Sequence, residues 1–270
     1  MPEHTLSTQI NRDTYIPLYI QVINSLTDYI ECNKFSPGYQ LPGEAELCRV
    51  FDVSRTVIRQ ALKELEYKGL IYRSKGRGTF IAEPKIHESL VQNLTGFYQD
   101  MEAKGHRPHS KVLKQEKVAA AKKVAEKLNL AEGTPVIQID RLRFLGQEPI
   151  VLVTSYLPYD LAPELEEVDL SDQSLYVYLE NVHGIQISHG KRYIEAVPAN
   201  QLDAELLEVD IGSPLILLDS ISFLSDGTPL EYFHALHRGD RSRFEVELIR
   251  VDQASDMGPK LIEVSNNFSR

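Results

Sequence analysis

The chain of 270 residues has only two cysteines, Cys32 and Cys48, and no run approaching 18 consecutive apolar residues. Each cysteine falls inside a segment with helical periodicity, which argues against a disulfide framework or a Cys-x-x-Cys metal knuckle; both read as small buried hydrophobes. Without a long apolar run there is no candidate membrane span, and the polar opening MPEHTLSTQINRD lacks the character of a secretory signal. A cytoplasmic location with no membrane partner is expected. Positive charge is also scarce, with 29 Lys and Arg against 39 Asp and Glu. An acidic chain is repelled by a phosphate backbone, so nucleic-acid contact must be confined to a local excess of cations. No nucleophile, base and orienter stand together, and no serine sits in an elbow motif, so an enzyme is not expected and no cofactor is called for. His106-x-x-His109 lies in a Pro/Gly-containing loop, and a three-residue offset in a strand points His234 and His237 to opposite faces, so no metal site is expected.

The local excess of cations exists. Residues 54 to 77 carry seven Lys or Arg against two Glu, in a chain whose total is −10. Ile58, Ala61, Leu62 and Leu65 recur at i, i+3, i+4 and i+7, which predicts one apolar helix face and leaves Arg55, Thr56, Arg59, Gln60 and Lys63 free. Ser54 is placed to cap the first turn, although Val57 stands where a capping box needs Glu or Gln. Gly69 ends the helix, and 70–73 and 79–81 read as two short strands around a basic tip containing Lys75, Arg77 and Gly78. Upstream, Leu18, Val22, Leu26, Tyr29 and Ile30 form the stripe of a helix beginning at Pro17. A short helix over 44–51 offers Leu47, Val50 and Phe51 to the same core, and residues 1–14 read as disordered. Helix, short helix, turn, helix and hairpin make a winged helix-turn-helix.

The stretch SPGYQLPGEAELCRVFDVSRTVIRQALKELEYKGLIYRSKGRGTFI resembles the N-terminal domain of the GntR family of bacterial transcription regulators. The resemblance implies that Arg55, Thr56 and Arg59 meet the major groove and its phosphates, and that Arg77-Gly78 in the wing reaches the minor groove; Lys75 is a further DNA-binding candidate in the wing. Gly43-Glu44-Ala45 departs from the family's usual Ser-Glu-Arg, so one groove-facing arginine is missing at Ala45.

Residues 1–81 hold ten basic and nine acidic groups, so 82–270 hold nineteen and thirty. Length and ordinary composition suit two domains, and the charge split assigns them different tasks. The expected organisation is a DNA-binding domain over 1–81, a polar linker over 82–92, a second domain over 93–250 and a tail over 251–270. Thr95 and Gly96 precede a helix from Phe97, where free amides suit an anion. The second domain contains a repeat: AEKLNLAEGTPVIQIDRLRFL from Ala125 superposes on AELLEVDIGSPLILLDSISFL from Ala204 at a constant offset of 79. Each copy reads as a short helix, a Gly-Thr/Ser-Pro turn, a strand and a hairpin into a further strand, 150–157 or 230–237. With strands at 111–118, 185–197 and 244–251, an α+β domain is expected, a mostly antiparallel sheet with helices on one side.

The repeat separates what the fold needs from what it does not. Arg141 and Arg143 alternate onto one strand face, yet the second copy has Ser220 and Ser222 there. Neighbouring arginines repel unless an anion lies between them, and their forked donors match phosphate. Residues 93–250 resemble the UTRA effector-sensing domain of the HutC branch of GntR regulators, similar in fold to chorismate lyase. Leu94-Thr95, Arg141-x-Arg143 and the 237–241 stretch carry the match. The resemblance implies that Thr95, Gly96, Arg141, Arg143, Ser174 and Tyr176 hold the phosphate of a small effector, with Glu231 and His237 at its sugar end. Val153 stands where amino-sugar sensors carry glutamate, and His237 where they often carry tyrosine. The expected protein is a homodimeric repressor on a palindromic double-stranded operator, modulated by a small anionic metabolite such as a sugar phosphate. Its rivals are an enzyme of the chorismate lyase type and an architectural DNA-binding protein without effector.

Overall fold

The computed structural model describes residues 6, 9–74, 76–89, 94 and 96–246. Lys75, Thr95, the end of the linker (90–92) and the tail (251–270) lie outside the described residues. The N-terminal domain has α1 (Leu18–Asn33), α2 (Glu44–Phe51), α3 (Arg55–Tyr67), β1 (Ile71–Ser74) and β2 (Gly78–Ile81), the last two an antiparallel hairpin. In α3 the four expected residues Ile58, Ala61, Leu62 and Leu65 are fully buried. The Ser54 hydroxyl accepts from the Val57 amide at 3.4 Å. A cap contributes about 1 kcal/mol, whereas each buried aliphatic side chain contributes roughly 1.5–3 kcal/mol. Tertiary burial therefore sets this helix.

Several sequence expectations shift. Pro17 caps α1 from outside instead of opening it. Val50 is 36% exposed, because Leu47 and Phe51 share one line at i and i+4 against α3 and Val50 flanks it. Cys32 is exposed and Cys48 half-buried; Cys32 lies two residues past Ile30, off the buried stripe. Part of the segment expected to be disordered is folded back: Asn11 and Gln21 exchange hydrogen bonds of 2.8 and 2.9 Å, and Leu6 and Ile10 pack on the core.

The linker is also more than a polar tether. β3 (Ile86–Glu88) pairs in parallel with β10 (Ser242–Phe244), burying Ile86 and Glu88. Between them the chain forms α4 (Phe97–Ala103), β4 (Pro108–Ala119), α5 (Lys122–Leu128), β5 (Pro135–Leu145), β6 (Glu148–Pro158), α6 (Leu175–His183), β7 (His189–Pro198), α7 (Gln201–Leu207), β8 (Pro214–Phe223) and β9 (Pro229–Arg238). Six strands make one antiparallel sheet in the order β4-β5-β6-β9-β8-β7. The repeat explains that order. Each copy folds as strand, helix and β-hairpin, and the copies meet at β6 and β9 about a pseudo-two-fold axis. The second hairpin is one residue longer, Leu224 to Pro229 against Leu145 to Pro149, so beyond it the offset becomes 80.

Helices cover both faces of the sheet, not one. The repeat's own helices α5 and α7 pack with Val136, Tyr232, Leu142 and Leu215 on one face. The other face packs α4 and α6, which have no counterpart in the repeat, against Ile137, Ile139, Val151, Val153 and Leu218.

Candidate functional site

On the face covered by α4 and α6, a cavity of about 610 Å³, counted to its open mouth, lies over the sheet. Strand alternation decides what it presents. Arg141 and Arg143 come from β5, Val153 and Ser155 from β6, Glu231, Phe233 and His237 from β9, and Arg192 from β7; Gly96 and Phe97 open α4, and Ser174 and Tyr176 open α6. The described sequence candidates Gly96, Arg141, Arg143, Ser174, Tyr176, Glu231 and His237 are thus brought together on one cavity. Glu231 and His237 share a strand but stand six residues apart, roughly 20 Å of rise, so they meet opposite ends of it.

The arginines are short of partners. Arg141 is 2% exposed and its Nε has no hydrogen-bond partner among the described residues. The guanidinium of Arg143 lies 5.3 Å from the centre of the Phe97 ring. Arg143 is half-buried and lines the cavity. Burial, then the neighbouring Arg141 charge, pushes it down to about 9 from its ordinary 12.5. Burial likewise lowers Arg141 and Arg192, partly offset by Glu231 and Tyr176. In each case burial disfavours the charged form.

Around them the polar groups are better satisfied. The Tyr176 hydroxyl donates to Glu231 Oε2 at 2.5 Å, and burial followed by the Glu231 charge drives the phenol well above its usual range. Ser174 caps α6, accepting from the Val177 amide. His237 Nδ1 sits 3.0 Å from Glu88 Oε1, both side chains being essentially inaccessible. His234 lies tilted against the rings of Tyr156 and Tyr232 on the other face of the sheet.

Sequence reasoning missed Arg192, Glu88, Phe97 and Ser155. Arg192 had only a misleading signal: the repeat offset of 79 sets it against Leu113, whereas the strand pairing, shifted by a bulge at Leu113, makes Val112 its counterpart. Glu88 had none, since it stood in a segment that looked like a tether.

In the N-terminal domain Arg55, Thr56, Arg59, Arg77 and Gly78 are all exposed on α3 and the wing. Arg59 Nε pairs with Glu44 at 2.9 Å, joining α3 to α2 beside Ala45. Gly78 has φ +124, and a Cβ there would stand 2.7 Å from Gln40 Nε2, which itself donates to the Arg77 carbonyl. The wing turn therefore needs glycine. Gly69, at φ +71, meets the second domain: its Cβ would lie 2.2 Å from the Asp240 carbonyl oxygen.

A winged helix-turn-helix followed by a cavity-bearing sheet domain is the organisation of a transcription regulator that senses a small molecule. Residues 18–81 match the bacterial regulatory proteins of the gntR family, and residues 103–243 match the UTRA domain. The chain belongs to the GntR family, whose members are DNA-binding regulators and not enzymes. It is 34% identical over 235 residues to the HTH-type transcriptional repressor NagR of Bacillus subtilis, covering 87% of this chain and 96% of that one. A probable fructoselysine utilization operon transcriptional repressor of Escherichia coli is 29% identical over 230 residues, covering 85% and 94%. The crystal structure of PhnF from Mycobacterium smegmatis superposes with a TM-score of 0.60 at 28% identity, covering 84% of this chain and 99% of that one.

Proposed function

We propose that this regulator is a cytoplasmic repressor that binds a two-fold operator as a homodimer and is released by a phosphorylated neutral sugar or polyol held in the UTRA cavity. The observation that carries the reading is the pair of Arg141, buried, and Arg143, half-buried two residues along the same strand face, neither in an ion pair among the described residues, where the second half of the repeat has serines. Ser174 and the first turn of α6 add a hydroxyl and free amides beside them. The lining side chains carry three guanidinium groups against the one carboxylate of Glu231, an excess of two positive charges. A phosphate monoester dianion neutralises that excess; an amino-sugar phosphate leaves one charge over. Val153, 2% exposed and paired across the strands with Arg141, offers no acceptor to an ammonium. The two-fold pairing follows from recognition helices that read half-sites one helical turn apart.

Thermal-shift titrations with glucose, glucose 6-phosphate and glucosamine 6-phosphate test the reading, since a ligand that binds the folded state alone raises stability by RT ln(1 + [L]/Kd). The phosphorylated neutral sugar should give the largest shift and release operator DNA in a gel-shift assay. Equal shifts from glucose and glucose 6-phosphate would remove the phosphate site. Tighter binding of the amino sugar, unchanged by Val153→Glu, would show that this position does not select the ligand.

A further inference from the structure

Arg192 lies at the end of the cavity away from Arg143. The strand that carries it, β7, is an edge strand on which Arg192 and Val197 alone are not exposed. Its Nε donates to Ser220 Oγ at 2.7 Å and its guanidinium lies 5.3 Å from the centre of the Phe233 ring, so the side chain is laid inward across β8 toward β9. That anchoring uses one of its donors. The terminal amines have no hydrogen-bond partner among the described residues, and the group lines the cavity. Glu231 and Tyr176 are its electrostatic neighbours, yet no ion pair joins Arg192 to Glu231. Glu231 accepts from Tyr176 through Oε2, which leaves Oε1 free.

The repeat shows that the fold does not demand this arginine. Arg192 pairs with Ser220 as Val112 pairs with Arg141, so the two halves exchange the strand from which the cation comes. Glu231 and His237 follow the same rule, standing where the first half has Val151 and Leu157. Four strand spacings separate β5 from β7, about 19 Å, so Arg192 and the Arg141/Arg143 pair approach the cavity from opposite sides. A free carboxylate oxygen and free guanidinium donors that face one space without pairing suit a group that both donates and accepts, which is what adjacent hydroxyls do.

Resting on the sugar-phosphate reading, we propose that Arg192 is a third effector-binding arginine that works with Glu231 to read the hydroxylated end of the ligand, while Arg141 and Arg143 take its phosphate. The test is calorimetric titration of the full-length wild type, Arg192→Met and Arg192→Lys with glucose 6-phosphate and with inorganic phosphate. Losing charge-assisted hydrogen bonds should weaken glucose 6-phosphate by about tenfold to a hundredfold in Arg192→Met. Inorganic phosphate, held at the other end, should change less than about threefold. Arg192→Lys keeps the charge but not the fork and should still weaken glucose 6-phosphate by about fivefold or more, which decides the matter if Arg192→Met does not fold. Equal weakening of both probes would reduce Arg192 to a distant charge and overturn the proposal while leaving the phosphate site standing. Unchanged glucose 6-phosphate affinity, or a wild type that binds it no better than phosphate, overturns it as well. A wild type that binds neither probe removes the sugar-phosphate reading and this proposal together.

Discussion

Replacing Arg141 and Arg143 together by serine, as the second half of the repeat already has at 220 and 222, should separate ligand recognition from folding. Each charge-assisted hydrogen bond contributes about 1.5–3 kcal/mol, so two of them are worth roughly 3–6 kcal/mol, or about a hundredfold to ten-thousandfold in affinity. The effect on the ligand-free protein has the other sign. Arg141 is buried with an unpartnered Nε and no ion pair among the described residues, and its charge acts on Arg143, two residues along the same strand face. Removing desolvated, mutually repelling charges relieves a cost. The melting temperature of the double variant without ligand should therefore equal or exceed that of the wild type, although most substitutions at buried positions lower it. Calorimetry with glucose 6-phosphate, thermal unfolding without ligand and operator binding by fluorescence anisotropy measure the three quantities. A variant that binds ligand as before and unfolds more than about 1 kcal/mol more easily would show that the arginines are structural, and the reasoning would be refuted.

Arg143 titrates near 9 when folded and ordinarily near 12.5, so between those values the unfolded chain holds the extra proton and ligand-free stability rises with pH. Below pH 9 both states are charged and the penalty is complete; phosphate-ligand affinity should fall as pH rises through about 9, and both effects should vanish in the double serine variant, as pH-dependent unfolding and calorimetry will report. Arg55→Ala should weaken specific operator binding by roughly 1–3 kcal/mol, and wild-type affinity at matched salt would refute the role of α3. Gly69→Ala forces a side chain into the left-handed region at about 1–2 kcal/mol and against the Asp240 carbonyl, so it should lower the melting temperature and alter operator affinity while leaving glucose 6-phosphate affinity intact; an unchanged melting temperature would mean that the two domains do not touch there.

The parts of this molecule that repeat were legible in its sequence, because period and offset are properties of the chain itself. Ile58 to Leu65 gave the buried face of α3, and the 125/204 offset gave both hairpins and the asymmetry of Arg141 and Arg143. What depends on register was hidden. Arg192 enters the cavity only because β7 closes the sheet beside β8, and the correspondence of Glu231 to Val151 in the first copy needs the extra hairpin residue that moves the offset from 79 to 80. Coverage of both sheet faces was missed because α4 and α6 stand outside the repeat. Glu88 was unreadable for another reason: a charged residue in a polar stretch signals solvent unless its partner is known, and His237 lies 149 residues away.

The parallel pairing of β3 with β10 has a practical consequence for anyone recombining such regulators. Four residues, 82–85, separate the last strand of the DNA-binding domain from β3, a reach of at most about 14 Å. Arg241 donates to the Glu83 carbonyl, Lys85 to the Gly239 carbonyl and the Ile86 amide to the Arg241 carbonyl, each at 2.7 Å. The segment that follows His237, residues 239–241, therefore grips the joint from far along the sequence. A chimera that joins this DNA-binding domain to a relative's sensor is best cut between Ile81 and Ala82, carrying 82–89 with the sensor, so that the strand and its grip come from one parent. A cut placed at residue 92, where the polar composition suggests the boundary, would pair β3 of one parent with β10 of the other, and such a hybrid should bind operator and ligand separately without one answering the other.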